Sequence, residues 1–139
     1  MSKQHKKTKG TIIVDEGVKR EYAKIAQEEG WKIILIPPSN RNIGLSDKAI
    51  VRKYTKNIPP VFTNDKTSYK EYSFTEKEIG RSGFIIHVFV KPEEEKEYIK
   101  QIKYFFRTYT EKFTHGAVWT INKKGKPTKK ELTITKQTN

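Results

Sequence analysis

Four short apolar runs constrain this chain more than any other feature: Thr11-Ile12-Ile13-Val14, Trp31 to Ile36, Val61-Phe62-Thr63 and Phe84 to Val90. They are brief, rich in β-branched or aromatic side chains and bounded by turn residues, so each reads as a buried strand. Between the first two, Val18, Tyr22, Ile25 and Ala26 recur at helical spacing, and Gly30 stands where a helix stop is expected. Pro37-Pro38 closes the second run, and Ser39 to Leu45 has loop composition. Ser46 is then a candidate N-cap for a helix carrying Ala49, Ile50, Val51 and Tyr54 inward, which Pro59-Pro60 stops. Residues 66–82 are polar, with Tyr69, Tyr72 and Phe74, and are assigned only as short helix and loop. After Pro92, the acids Glu93, Glu94 and Glu95 suit the positive end of a helix that runs to about Thr108, with Tyr98, Ile102, Phe105, Phe106 and Tyr109 on one face. Strands alternating with helices predict an α/β fold with a mainly parallel sheet and helices on both faces.

The end of the chain has a different pattern. Ala117 to Ile121 and Glu131 to Thr135 alternate as strands around Asn122 to Lys130, a lysine-rich turn with Gly125 and Pro127. The expectation is a C-terminal β-hairpin over about 117–135. Residues 1–10 carry four lysines and no apolar run, and read as a flexible basic arm ahead of one domain over 11–139.

A net charge of +13 and a pI near 9.8 call for a polyanionic partner, and nucleic acid is the leading one. A surface rich in Lys and Glu without Cys also fits life at high temperature. The absence of cysteine excludes a disulfide framework and a cysteine zinc site. No apolar run approaches the roughly 20 residues of a membrane span, and the start MSKQHKKTKG lacks the apolar centre of a signal peptide, so the cytoplasm is the expected location.

Thirteen of the sixteen acidic residues are Glu, and Asp stands at only three places, each at the edge of an element. Asp15 ends the first strand, Asp47 follows Ser46 at the start of the second helix, and Asp65 ends the third strand. Ligand crevices of open α/β sheets lie outside the carboxyl ends of the strands, so Asp15 and Asp65 share one if their strands are near neighbours. Carboxylates gathered there repel one another unless a cation compensates, and a hard, oxygen-binding ion such as Mg²⁺ or Mn²⁺ is the natural choice. Taken singly, each aspartate reads more readily as a cap or turn residue, and the three together reverse that balance.

These residues also carry a family resemblance. Ile-Ile-Val-Asp-Glu at 12–16, Leu-Ser-Asp-Lys-Ala-Ile-Val at 45–51 and Val-Phe-Thr-Asn-Asp-Lys-Thr-Ser-Tyr at 61–69 resemble the acidic motifs of PIN and PIN-like ribonucleases, in the order and spacing of the compact PIN-like branch. The resemblance spans roughly residues 11–90. It implies a three-layer α/β/α fold and metal-dependent cleavage of RNA, with Asp15, Asp47 and Asp65 as catalytic metal ligands and Asn64 beside them. Larger PIN enzymes add a further acid from a helix between the first two strands; here Glu16 is the candidate for that role.

The expected reaction is phosphodiester hydrolysis, in which water attacks phosphorus in line while a cation offsets charge on the oxygens. Ser46 and Thr63 carry hydroxyls that could orient a carboxylate or a water, although a turn or cap role is the more ordinary reading of both. Arg41 has the planar fork that suits phosphate, and Lys123, Lys124, Lys126, Lys129 and Lys130 are candidates for a phosphate clamp; a solvated arginine and a solvated lysine loop are the bland readings. His87, inside an apolar run, reads as a core residue. RNA is the expected substrate, with DNA left open because the metal chemistry does not select the sugar. There is room for a homodimer or a protein inhibitor as a further partner. The competing function is a non-catalytic RNA-binding or ribosome-associated protein that keeps the fold.

Overall fold

A computed structural model of the chain describes residues 10–35, 59–64 and 83–132. The described strands are β1 (Gly10–Val14), β2 (Trp31–Leu35), β3 (Val61–Thr63), β4 (Gly83–His87), β5 (Ala117–Ile121) and β6 (Thr128–Glu131). The described helices are α1 (Arg20–Glu28), α2 (Glu95–Thr108), entered through a 3₁₀ turn at Pro92–Glu94, and the single turn α3 (Glu111–Thr114). All six strands join one sheet in the order β2-β1-β3-β4-β5-β6. Every pairing is parallel except that of β5 with β6. The expected α/β architecture with a mainly parallel sheet is therefore present.

The strand order follows from burial. β1, β3 and β4 occupy the middle, and their residues Ile12, Ile13, Val14, Phe62, Phe84, Ile85 and Ile86 are all buried, as a central parallel strand requires. Alternation divides them between two faces. Ile12, Val14, Phe62, Ile85, Trp119 and Ile121 belong to one continuous core with Tyr22, Ile25 and Ala26 of α1 and Tyr98, Ile102, Phe105 and Phe106 of α2. On the opposite face Ile13, Val61, Phe84, Ile86 and Val118 are buried as well. α1 and α2 pack on each other over the first face, where the indole of Trp31 donates to the Phe106 carbonyl at 2.9 Å.

Several boundaries differ from the sequence expectations, each for a local reason. β1 begins at Gly10, so the basic arm gives up its last residue to the sheet. The apolar run from Phe84 leaves the sheet after His87, because the Val88 N–H turns to the Tyr98 hydroxyl at 2.9 Å instead of a neighbouring strand. The same hydroxyl donates to the Ile121 carbonyl at 2.7 Å, so one phenol of α2 ties down the exit of β4 and the end of β5. β6 covers Thr128–Glu131 and not Glu131 to Thr135; residues 133–135 lie outside the described residues. Its register is set by Asn122, whose amide donates to the Lys126 carbonyl at 2.9 Å and to the Thr128 hydroxyl at 2.7 Å, closing the turn early. α3 has no counterpart in the sequence reading. It packs against the amino ends of the central strands, where a Cβ on Gly83 would collide with the Thr114 carbonyl, so this position admits only glycine. No helix among the described residues is long and apolar enough to cross a membrane.

Candidate functional site at the β1/β3 switch point

In the order 2-1-3-4-5 the chain reverses direction across the sheet between β1 and β3, and such a switch point opens a crevice outside the carboxyl ends of those strands. Asp15 stands there, one residue past β1. Its N–H donates to the Phe62 carbonyl at 2.9 Å, continuing the ladder one step beyond the strand. Its carboxylate is oriented from two sides: Oδ1 accepts the Glu16 N–H at 2.8 Å, and Oδ2 accepts the Thr63 hydroxyl at 2.8 Å. Of the two hydroxyl residues singled out in the sequence, Thr63 is described, and its hydroxyl bonds the Asp15 carboxylate.

Asn64 comes next on the β3 side. Its amide donates to the Gly17 carbonyl at 3.1 Å, pinning the turn that leads from Asp15 into α1. Gly17 has to be small for this contact, since a Cβ there would lie 2.7 Å from Asn64 Oδ1. The turn itself closes by the Val18 N–H donating to the Asp15 carbonyl at 3.1 Å. Glu16 follows Asp15 in that turn and is half-buried.

Asp47, Asp65, Arg41 and Ser46 lie outside the described residues. Among the described residues no three acids, histidines or cysteines gather as a metal-binding group; two of the three aspartates are not among those residues. Asp15, Glu16, Thr63 and Asn64 are therefore the expected site residues that lie together among the described residues, Glu16 through its N–H.

Beside them is a cleft of about 180 Å³, lined by Gly17, Lys19, Tyr22, Asn64, His87 and the Val88–Val90 segment. Lys19 reaches Glu95 at 2.6 Å, and the Tyr22 hydroxyl donates to the same carboxylate oxygen at 2.9 Å, joining the start of α1 to the start of α2. The hydrogen bond to Glu95 raises the Lys19 pKa, and its contact with Lys19 holds Glu95 below the ordinary carboxylate range. Burial first, and then the bond to Glu95, push the Tyr22 phenol upward.

His87 ends β4 with only 6% of its surface exposed, edge-on to Tyr22 and Phe62 at ring separations of 5.0 and 5.5 Å. Its Nδ1 faces the Val88 carbonyl at 3.4 Å, and its Nε2 has no hydrogen-bond partner among the described residues. Burial lowers its pKa, so the ring is neutral at pH 7. Phe89, two residues further on, is 81% exposed at the cleft. Sequence reasoning placed His87 in the core, where it is, but did not identify the cleft. Its walls come from α1, β3 and β4, and only an isolated Phe between two valines hinted at it.

The lysine-rich turn lies after β5, and β5 runs parallel to β1, β3 and β4, so the turn opens on the same sheet edge as Asp15. Three strand spacings separate β1 from β5, about 15 Å along the sheet. The five lysines are not equivalent. Lys123 is bound to Glu94 at 3.2 Å, while Lys124 and Lys126 are exposed in the turn. Lys129 stands opposite Trp119 in the β5/β6 register and lies over its ring at 6.0 Å; Lys130, opposite Val118, is on the other face. Trp119, a core residue, and Tyr109, half-buried against the core, pack against each other and against Phe105. Models of known protein families, curated proteins and solved structures give no match to the chain.

Proposed function

We propose that this protein is a divalent-metal-dependent ribonuclease that hydrolyses RNA phosphodiester bonds, with a PIN-like three-layer α/β/α fold closed by a C-terminal β-hairpin. The observation that carries the reading is the place of Asp15: a carboxylate oriented by Thr63 and the Glu16 N–H, at the crevice where β1 and β3 part. Asp65 follows Asn64 directly in the chain, and Asp47 is the third acid of the set.

The donors suit the ion. Asp15 accepts one hydrogen bond on each oxygen among the described residues, and a carboxylate oxygen has room for a further partner. Carboxylates with an amide oxygen nearby are the hard donors that Mg²⁺ and Mn²⁺ take. When bound, such an ion supplies Lewis-acid polarisation of the phosphodiester. The chain's own contribution is orientation: Thr63 fixes the rotation of the Asp15 carboxylate, Asn64 fixes the turn that follows it, and the positive field of a +13 protein draws the polyanion in.

The test is incubation of labelled RNA and DNA with the protein in Mg²⁺, Mn²⁺ or EDTA, comparing wild type with Asp15→Asn, Asp47→Asn and Asp65→Asn. Metal-dependent cleavage of RNA that each substitution abolishes is the expected result. Equal cleavage by wild type and all three variants overturns the shared metal site. RNA binding without any metal-dependent cleavage assigns the fold to a non-catalytic RNA-binding protein instead.

A further inference from the structure

The cleft next to Asp15 has features that phosphodiester hydrolysis leaves unexplained. It is enclosed by Tyr22, Val88 and Val90, yet it also presents His87, a nine-tenths buried ring with an unpartnered Nε2 among the described residues. Its cation, Lys19, is already matched by Glu95 at 2.6 Å, so the cleft offers a phosphate little net charge. A flat, neutral ligand with hydrogen-bonding edges fits better. Size agrees: a cavity of roughly 150 Å³ accepts a benzene ring, and this cleft measures about 180 Å³.

Phe89 completes the argument. It is the most exposed large apolar side chain among the described residues, and it sits at this cleft beside a backbone anchored by the Tyr98 hydroxyl. An exposed aromatic on a fixed backbone, next to a ring-sized cleft, is what stacking on an unpaired base requires.

We propose that the cleft between the start of α1 and the exit of β4 is a subsite for one unpaired nucleobase of the RNA strand, with Phe89 as the stacking platform and Asn64 as a polar contact to the base edge. The proposal rests on RNA being the ligand of the Asp15 site. Gly17 and Asn64 border both the Asp15 turn and the cleft, so the base that enters belongs to a nucleotide beside the cut phosphate.

The experiment measures binding, not turnover. A labelled single-stranded RNA is titrated with protein in EDTA by fluorescence anisotropy, alongside the same RNA carrying one abasic site moved stepwise along the strand. Wild type should lose about five- to 150-fold in affinity at one abasic position, the range that base stacking supplies. Phe89→Ala should bind intact RNA more weakly by a similar factor and no longer respond to that abasic site. Because Phe89 is exposed, its thermal unfolding should match wild type. A flat abasic scan in wild type, or a Phe89→Ala variant that still discriminates, overturns the subsite. The two readings fail separately: cleavage with a flat scan removes the subsite alone, whereas a Phe89-dependent abasic signal in a protein that never cleaves removes the nuclease and keeps the base-binding cleft.

Discussion

Thr63 donates its hydroxyl to Asp15 Oδ2 at 2.8 Å, a side-chain bond that joins the carboxyl ends of β1 and β3 beside the backbone bond from the Asp15 N–H to the Phe62 carbonyl, at the point where the sheet changes winding direction. If this bond orients a metal ligand, its loss should act on the site more than on the fold. Thr63→Val keeps the shape of a fully buried side chain and removes the hydroxyl. Orienting partners of metal ligands are typically worth about ten- to 100-fold in affinity or activity, while one lost hydrogen bond changes stability by about 1 kcal/mol. Mn²⁺ titration calorimetry and the RNA cleavage assay should both register the larger effect. Unchanged Mn²⁺ affinity together with unchanged cleavage would show that the bond serves the fold alone.

Gly17 is predicted to resist substitution although its surroundings are partly solvent-accessible. A methyl group there would stand 2.7 Å from Asn64 Oδ1, a distance that the side chain can relieve only by swinging away and breaking its bond to the Gly17 carbonyl. Gly17→Ala should therefore reduce cleavage at least tenfold, with a stability loss of no more than about 1 kcal/mol, the value of the broken hydrogen bond, because the exposed Asn64 side chain can swing aside. Asn64→Ala, which removes the colliding group, supplies the control: in its background the added methyl should have little further effect on stability. Additive losses in the double variant would refute the collision.

The strands that carry Asp15 and Thr63 were legible because each is an uninterrupted apolar run, and β1 and β3 appear within a residue of where those runs lie. The helix over Glu95–Thr108 was equally legible from Tyr98, Ile102, Phe105 and Phe106. What local pattern did not reveal depends on contacts between distant segments. Lys19 meets Glu95 across 76 positions of sequence, and neither residue differs locally from any other surface charge. β4 stops at His87 because of a tyrosine on α2, and apolar character continues past it through Val88, Phe89 and Val90. The last strand differs in its bounds: the sequence pattern puts it at Glu131 to Thr135, whereas pairing with β5 already runs from Thr128, where the Asn122 side chain holds the Thr128 hydroxyl.

His87 gives the fold a pH dependence whose sign follows from its burial. Burial lowers its pKa below the ordinary 6.5, with the Val88 carbonyl opposing that shift and Lys19 adding to it. The unfolded chain thus takes up this proton at a higher pH than the native protein does. Stability from this group is complete above pH 6.5 and is lost as pH falls from there through the lower, native value, at up to about 1.4 kcal/mol per pH unit. His87→Phe keeps an aromatic ring between Tyr22 and Phe62 and cannot titrate. Urea unfolding at pH 8 and pH 5.5 should show a drop in wild type that is smaller in the variant, by no more than about 1.4 kcal/mol. Parallel losses in the two proteins would rule His87 out as the source.

The lysine turn allows a quantitative test on salt dependence. For single strands, each phosphate contact by a lysine contributes about 0.7 to the slope of log affinity against log salt concentration. Lys124 and Lys126 are exposed at the sheet edge shared with Asp15, whereas Lys123 is engaged by Glu94 at 3.2 Å and Lys129 lies over the Trp119 ring. The pair Lys124→Ala and Lys126→Ala should therefore reduce the slope by about 1.4, while Lys123→Ala reduces it by less than one contact. Glu94→Ala sharpens the comparison, because it releases Lys123 and should bring the Lys123 contribution up to that of its neighbours. RNA affinities at several salt concentrations measure all four proteins on one scale. Equal slopes for wild type and the Lys124/Lys126 double variant would place the RNA backbone elsewhere and leave the turn as a solvated loop.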